Sequence, residues 1–207
     1  LHYPLRRQRQ MCIRDRSMTE LIEGILKKTG GKDRSIRWFR EKVKELGEVP
    51  PQRLIREGIV TARPTFGTMN FFMYSPKNKD NVDILPYYDR FPLVMPIEQY
   101  NNGFLGLNFH YLSIPMRLKL LNIISEYASN DKLDETTRIR LTWNRVKRNP
   151  IVKPTVKRYL ADHVRTAFRR INADEMMVAV LLPVQRFVRA TETKVYADSR
   201  MSANRRG

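Results

Sequence analysis

The sequence predicts an α+β fold, a small antiparallel and aromatic-rich sheet packed by helices, with a basic helical C-terminal third. Three observations predict it. Short aromatic segments broken by Pro, Gly and Asn fill residues 59–112, the signature of strands joined by turns. Apolar residues at helical spacing stand before and after that stretch. The cations also gather late: residues 138–207 hold 17 Lys+Arg against 5 Asp+Glu, while residues 18–137 hold 17 against 15. The chain has 207 residues, 42% of them hydrophobic, which suits one folded body rather than a disordered tail.

Residues 1–17 read as a non-native leader, with a genuine basic arm as the other reading. They carry five arginines, the single cysteine (Cys12) and no apolar stretch of the signal-peptide kind, and RQRQMCIRDRS is similar to sequencing-adapter read-through. Residues 18–58 form an N-terminal helical segment. A short helix is expected to follow Ser17 or Thr19 as far as Lys28, ended by Gly30-Gly31. A second is expected over 33–46, with Ile36, Phe39, Val43 and Leu46 on one face, and a further turn of helix over 52–57.

Residues 59–207 form the α+β core. Strands are expected at 68–75, 91–97 and 103–112. Pro92 and Pro96 lack the N–H that a ladder needs, so the middle strand is expected at an edge or irregular. Asn101-Asn102-Gly103 is the tight turn leading to the third. Helices are then expected from Pro115 to about Ala128, over 135–147, over 155–171 and over 173–182, with one more after Pro183. In the 155–171 helix, Val156, Leu160, Val164, Ala167 and Ile171 make the inward stripe, and Arg158, Arg165 and Arg169 the opposite one.

Several functions lack their residues. No apolar run approaches the roughly 18 residues of a membrane span, and one cysteine permits neither a disulfide framework nor a Cys-based zinc cluster. Outside the leader the histidines are His110, expected as a packed and hydrogen-bonded residue, and His163. Asp80, Asp83 and Asp89 lack the accompanying residues of a metal-dependent nuclease, and neither a phosphate-binding loop nor a nucleophile elbow is present. No enzyme activity, catalytic residue, metal or cofactor is expected.

Binding is what the charge suggests. Arg138, Arg140, Arg145, Lys147, Arg148, Lys153, Lys157, Arg158, Arg165, Arg169 and Arg170 are relieved by one acid, Asp162. Cations this dense repel one another and suit a polyanion. Arginine outnumbers lysine eight to three among them, which favours bidentate phosphate contacts. About six such contacts give an affinity that falls on the order of a thousandfold between roughly 50 and 200 mM salt. With no base-reading motif in sight, sequence-independent binding to double-stranded DNA is expected. A basic face for an acidic protein partner or neighbouring subunit, or a solvated surface, reads the same charges differently.

The run Tyr88-Asp89-Arg90-Phe91-Pro92-Leu93-Val94, followed by GFLGLNFHYL at 103–112 and LLPVQRF at 181–187, resembles a family of virion-associated proteins of T4-like tailed bacteriophages that includes DNA end protectors. The resemblance spans roughly residues 60–190. It implies a head-completion protein, present in the virion and in the host cytoplasm during assembly, that binds the ends of duplex DNA and shields them from exonuclease. Other virion proteins are further expected partners, and a structural neck, tail or baseplate role is the alternative. Asp89 and Arg90 are expected to anchor their strand by hydrogen bonding.

Overall fold

A computed structural model of the chain describes residues 36–48, 50–56, 59–77, 85–128, 143–144, 146–172 and 175–204. The leader at 1–17, the helix expected up to Lys28, most of the helix expected over 135–147 and the basic end Arg205-Arg206 lie outside the described residues, as do Arg138, Arg140 and Arg145.

The described residues open on α1 (Ile36–Gly47), whose Trp38, Val43 and Leu46 lean on the core. Its exposed side carries ion pairs at helical spacing, Arg37–Glu41 at 2.8 Å and Lys42–Glu45 at 2.7 Å. Pro51 opens α2 (Pro51–Arg56), where the missing N–H of proline costs nothing, and Leu54 and Ile55 are buried.

Six strands form one antiparallel sheet. They are β1 (Ile59–Thr61), β2 (Asn70–Phe71), β4 (Leu93–Tyr100), β5 (Gly103–Asn108), β6 (Val156–Leu160) and β7 (Phe168–Arg170), in the order β1-β7-β2-β4-β5-β6. A two-stranded ladder, β3 (Tyr88–Asp89) with β8 (Phe187–Val188), stands apart. Alternation along the strands sends side chains to two cores. Phe71, Leu93, Met95 and Leu107 join the apolar side chains of α3 (Ile114–Ala128) and α4 (Met176–Leu181). Phe72, Val94, Phe104, Tyr159 and Phe168 build an aromatic cluster with Tyr74 and Tyr88. Its rings meet largely edge to face, as their quadrupoles favour: Phe72 lies 5.3 Å from Tyr159 at 82°.

The expected hairpin is present. Tyr100 pairs with Gly103 across the two-residue turn Asn101-Asn102, and β4 and β5 run antiparallel from it. Glycine is required at the turn's exit, because a Cβ on Gly103 would overlap the carbonyl oxygen of Tyr159 on β6. β4 is not an edge strand, however. It lies between β2 and β5, and its register slips between Pro96 and Glu98. The short β2 pairs with Leu93 and Val94 alone, so no ladder bond is asked of the Pro96 nitrogen on that side.

The larger correction concerns the basic third. No helix spans 155–171: β6, a 3-10 turn at Ala161–His163 and β7 occupy it instead. The Val156, Leu160, Val164 spacing fits a helix, but Thr155, Val156, Val164 and Thr166 are β-branched and Tyr159 and Phe168 aromatic. Pairing settles the competition, since Val156–Leu160 aligns residue for residue with Leu107–Gly103. The C-terminal third is therefore mixed, with α4 and then α5 (Glu192–Asn204) as its full helices among the described residues.

Arg117 ties these elements together. It is wholly buried in α3, and Nε donates to the Leu112 carbonyl at 2.8 Å. Nη1 reaches the Leu182 carbonyl at 3.2 Å and the Val180 carbonyl at 3.5 Å, and Nη2 donates to Gln185 Oε1 at 2.9 Å and the Tyr196 hydroxyl at 3.1 Å. The guanidinium thus serves the carbonyls left open at the C-terminal end of α4 and pins that end to α3 and α5. Burial pulls its pKa down from the usual arginine range.

Candidate nucleic-acid interface

A buried pair holds the segments that carry Arg90 and Arg186. Asp89 Oδ2 meets His110 Nδ1 at 2.6 Å with both side chains fully buried, and Asp89 Oδ1 accepts from the backbone N–H groups of Phe91 at 3.1 Å and Arg186 at 3.0 Å. Asn108 Oδ1 accepts from the His110 backbone N–H at 2.9 Å, and Asn108 Nδ2 donates to the Tyr159 hydroxyl at 2.9 Å. His110 Nε2 has no hydrogen-bond partner. The bonding pattern assigns a neutral imidazole whose one proton sits on Nδ1, because a lone pair without a donor costs less than a buried N–H without an acceptor. As expected from the sequence, Asp89 anchors its strand and His110 is a packed structural residue. Arg90 anchors only through its backbone, and its side chain is exposed.

Burial pulls the His110 pKa down, against the attraction of Asp89. Burial alone would raise the Asp89 carboxyl, but the imidazole and the two backbone donors outweigh it and hold the carboxyl below its usual range. Both groups bind protons less readily folded than unfolded, so each contributes stability above its unfolded pKa and loses it as pH falls. For His110 the loss begins below its ordinary value of 6.5. The thermal midpoint is therefore expected to drop as pH is lowered from about 7 to about 5, and His110→Gln should flatten that slope. An unchanged slope in the variant, read by circular dichroism, would remove His110 as its source.

Above this pair, four backbone segments run side by side. The Arg90 N–H donates to the Arg186 carbonyl at 2.7 Å, and the Tyr74 N–H donates to the Arg90 carbonyl at 2.9 Å. Tyr74 in turn bridges to Val164, Ser75 N–H reaches the His163 carbonyl at 2.9 Å, and Arg165 N–H reaches the Met73 carbonyl at 2.8 Å. At strand spacing the four segments span about 15 Å. Arg186, Arg90 and Arg165 all project exposed side chains from them. Arg165 is steadied by a 3.2 Å bond from Nη2 to the Ser75 carbonyl. Among the described residues no carboxylate forms an ion pair with any of the three.

The cations singled out in the sequence have different placements. Arg158 is exposed on the edge strand β6, donating to Asn102 Oδ1 at 3.0 Å and lying 5.1 Å over the Tyr100 ring. Arg165 belongs to the row just described. Lys147, Arg148 and Lys153 are exposed around the turn before β6, where Lys147 donates to Asn144 Oδ1 at 2.8 Å. Arg170 is exposed farther along, beside Asn70 and Ile59. Two are turned inward. Lys157 sits 4.0 Å over the Tyr111 ring, and burial lowers its pKa to about 8. Arg169 is largely buried, with Nη2 on Glu175 at 3.2 Å and Nε without a partner.

Cation density in the sequence pointed past Arg90 and Arg186, each a single cation between a polar residue and a phenylalanine. Their signal is alternation: Asp89 in, Arg90 out, Phe91 in, and Gln185 in, Arg186 out, with half-buried Phe187 next. Among the described residues no group of three or more His, Cys, Asp or Glu could hold a metal ion, and no helix is long and apolar enough to cross a membrane.

A family model described as the phage T4 terminal DNA protecting protein matches residues 5–205. The chain belongs to this family. No curated protein and no solved structure matches it. Within the family's span fall both the buried Asp89–His110 pair and the arginine row above it, so the phage T4 family is the setting in which the row is to be understood.

Proposed function

We propose that the chain binds double-stranded DNA through its phosphates, without reading sequence and without catalysing a reaction, and shields DNA ends during phage head completion. The observation that carries this reading is the row Arg186, Arg90, Arg165, three exposed guanidinium groups on three of four side-by-side backbone segments, with no acid paired to them among the described residues. Unpaired arginines held about one strand spacing or a small multiple of it apart suit a line of phosphates, which they grip bidentately. Arg158, Lys153, Lys147, Arg148 and Arg170 extend the positive surface, and Arg138, Arg140 and Arg145 belong to the same proposed site. The family's description as terminal DNA protecting proteins supports the end-shielding part. His110 and Asp89 are spent on structure and sealed from a phosphodiester, in keeping with a binding role.

Exonuclease digestion of linear duplex tests this. With the protein present at moderate salt, the half-life of the DNA should lengthen by at least about tenfold, and the protection should fade as salt is raised. Unchanged digestion would refute end shielding. Equal protection of internal sites against an endonuclease would indicate general coating of the duplex.

A further inference from the structure

Beside the arginine row lies a cavity of about 360 Å³. Tyr74, Pro76, Leu85 and Leu160 give it apolar walls, and Asn102, Arg158 and His163 supply its polar side. The polar groups are pre-set: Asn102 holds the Arg158 guanidinium from its edge, and the His163 ring stands at 90° to Tyr74 with centroids 6.1 Å apart. Tyr74 is itself fixed, its hydroxyl 3.4 Å from the Leu160 backbone N–H and its ring against Tyr159 at 4.9 Å. The cavity opens next to the row because Ser75 bonds to the His163 carbonyl and Arg165 bonds back to Met73 and Ser75.

We propose that this cavity takes one unstacked nucleotide from the end of a DNA strand, with its base against Pro76, Leu85 and Leu160 and its phosphate on Arg158 and His163. The inference rests on the DNA-binding reading above and adds to it a means of telling an end from the middle. Phosphate contacts alone position a duplex without marking where it stops. The cavity is at the small end of ligand sites, which run from about 300 to 1,000 Å³, and suits one nucleotide rather than a base pair. An internal nucleotide reaches it only by flipping out of the stack, at a cost of a few kcal/mol, whereas an unpaired terminal one is already free. An apolar slot with one arginine and one histidine at its mouth matches the two halves of a nucleotide, flat base and anionic phosphate. Because no group in it reads a base edge uniquely, it fits any of the four bases.

Fluorescence anisotropy with three short duplexes of equal length provides the test. One carries a single unpaired nucleotide, in separate arms at the 3′ and the 5′ end; the second carries an abasic residue there; the third is closed at both ends by non-nucleotide linkers. The base-bearing end should bind about tenfold tighter than the other two, the size of one base contact. Preference for either strand end supports the proposal. His163→Ala and Leu85→Ala should each erase that preference while leaving affinity for the closed duplex unchanged within about twofold. Equal affinity for base-bearing and abasic ends would overturn the proposal and leave phosphate binding intact. Failure to bind any of the three would overturn the DNA-binding reading, and this inference with it.

Discussion

Replacing Arg90, Arg165 and Arg186 together by alanine should weaken duplex binding roughly a hundredfold at moderate salt, at about 1 kcal/mol for each exposed charged contact. The slope of log affinity against log salt should become shallower by about 2.7, because each lost phosphate contact removes about 0.9. The effect should be the same on unrelated sequences, since none of the three is expected to read a base. Folding should change little: all three side chains are exposed and, among the described residues, unpaired by acids, and the bonds that align their segments come from backbone atoms that alanine keeps. Electrophoretic mobility shifts across a salt series, beside a thermal melt of each variant, provide the measurement. If the triple variant binds with unchanged affinity and slope, the row is not the interface. The exposed cations around Arg148 and Lys153 would then be the place to look.

Arg117→Met should destabilise the fold by roughly 4 kcal/mol and lower the melting temperature by about 10 °C. Methionine fills much of the arginine's volume, so the loss reports hydrogen bonds more than a cavity. Those bonds serve buried acceptors, the Leu112 and Leu182 carbonyls and Gln185 Oε1. Arg117→Lys should recover little, because one ammonium cannot span acceptors arranged around a planar fork. Full stability in the lysine variant would show that charge near the end of α4 matters and the fork does not. Because α4 and α5 both lean on this residue, partial unfolding of the C-terminal end by proteolysis is the earliest sign expected.

The parts of the fold legible in the sequence are those decided locally. Asn101-Asn102-Gly103 makes its hairpin because the turn needs those residues whatever surrounds it. The helix from Ile114 to Ala128 follows from its own apolar spacing and its proline near the start. Residues 155–171 were illegible for the opposite reason. Their apolar positions satisfy a period of 3.6 as well as local alternation, and the choice between them rests on β5, β1 and β2, strands far away in the chain. Pro96 was legible in part: the strand is irregular there, its register slipping between Pro96 and Glu98, yet it is interior, because its neighbour β2 is too short to need the missing N–H. For the candidate site, density of charge gathers the exposed Arg158 and Arg165 together with Lys157 and Arg169, which face Tyr111 and Glu175, because a sequence does not show which way a strand turns its side chains. Arg90 and Arg186 meet through one backbone hydrogen bond between distant segments, and no local pattern announces such a meeting.

The place of β7 has a consequence for timing. It lies between β1 and β2, which come from the first 71 residues of the chain, and joins them by ladders on both sides. Thr68 and Thr166 add side-chain bonds across the same gap, to the Ile171 carbonyl at 2.7 Å and from the Met73 N–H at 3.0 Å. During synthesis β1 and β2 must therefore wait, unpaired on that side, until the last third has left the ribosome. Such non-local closure is slow and late. The arginine row is assembled by the same closure, since Arg90, Arg165 and Arg186 come from three separate stretches. A chain that stops short of Arg186 does not possess that row, whatever its charge. The surface thus exists only once synthesis has passed Arg186, which makes that point a checkpoint in its own right.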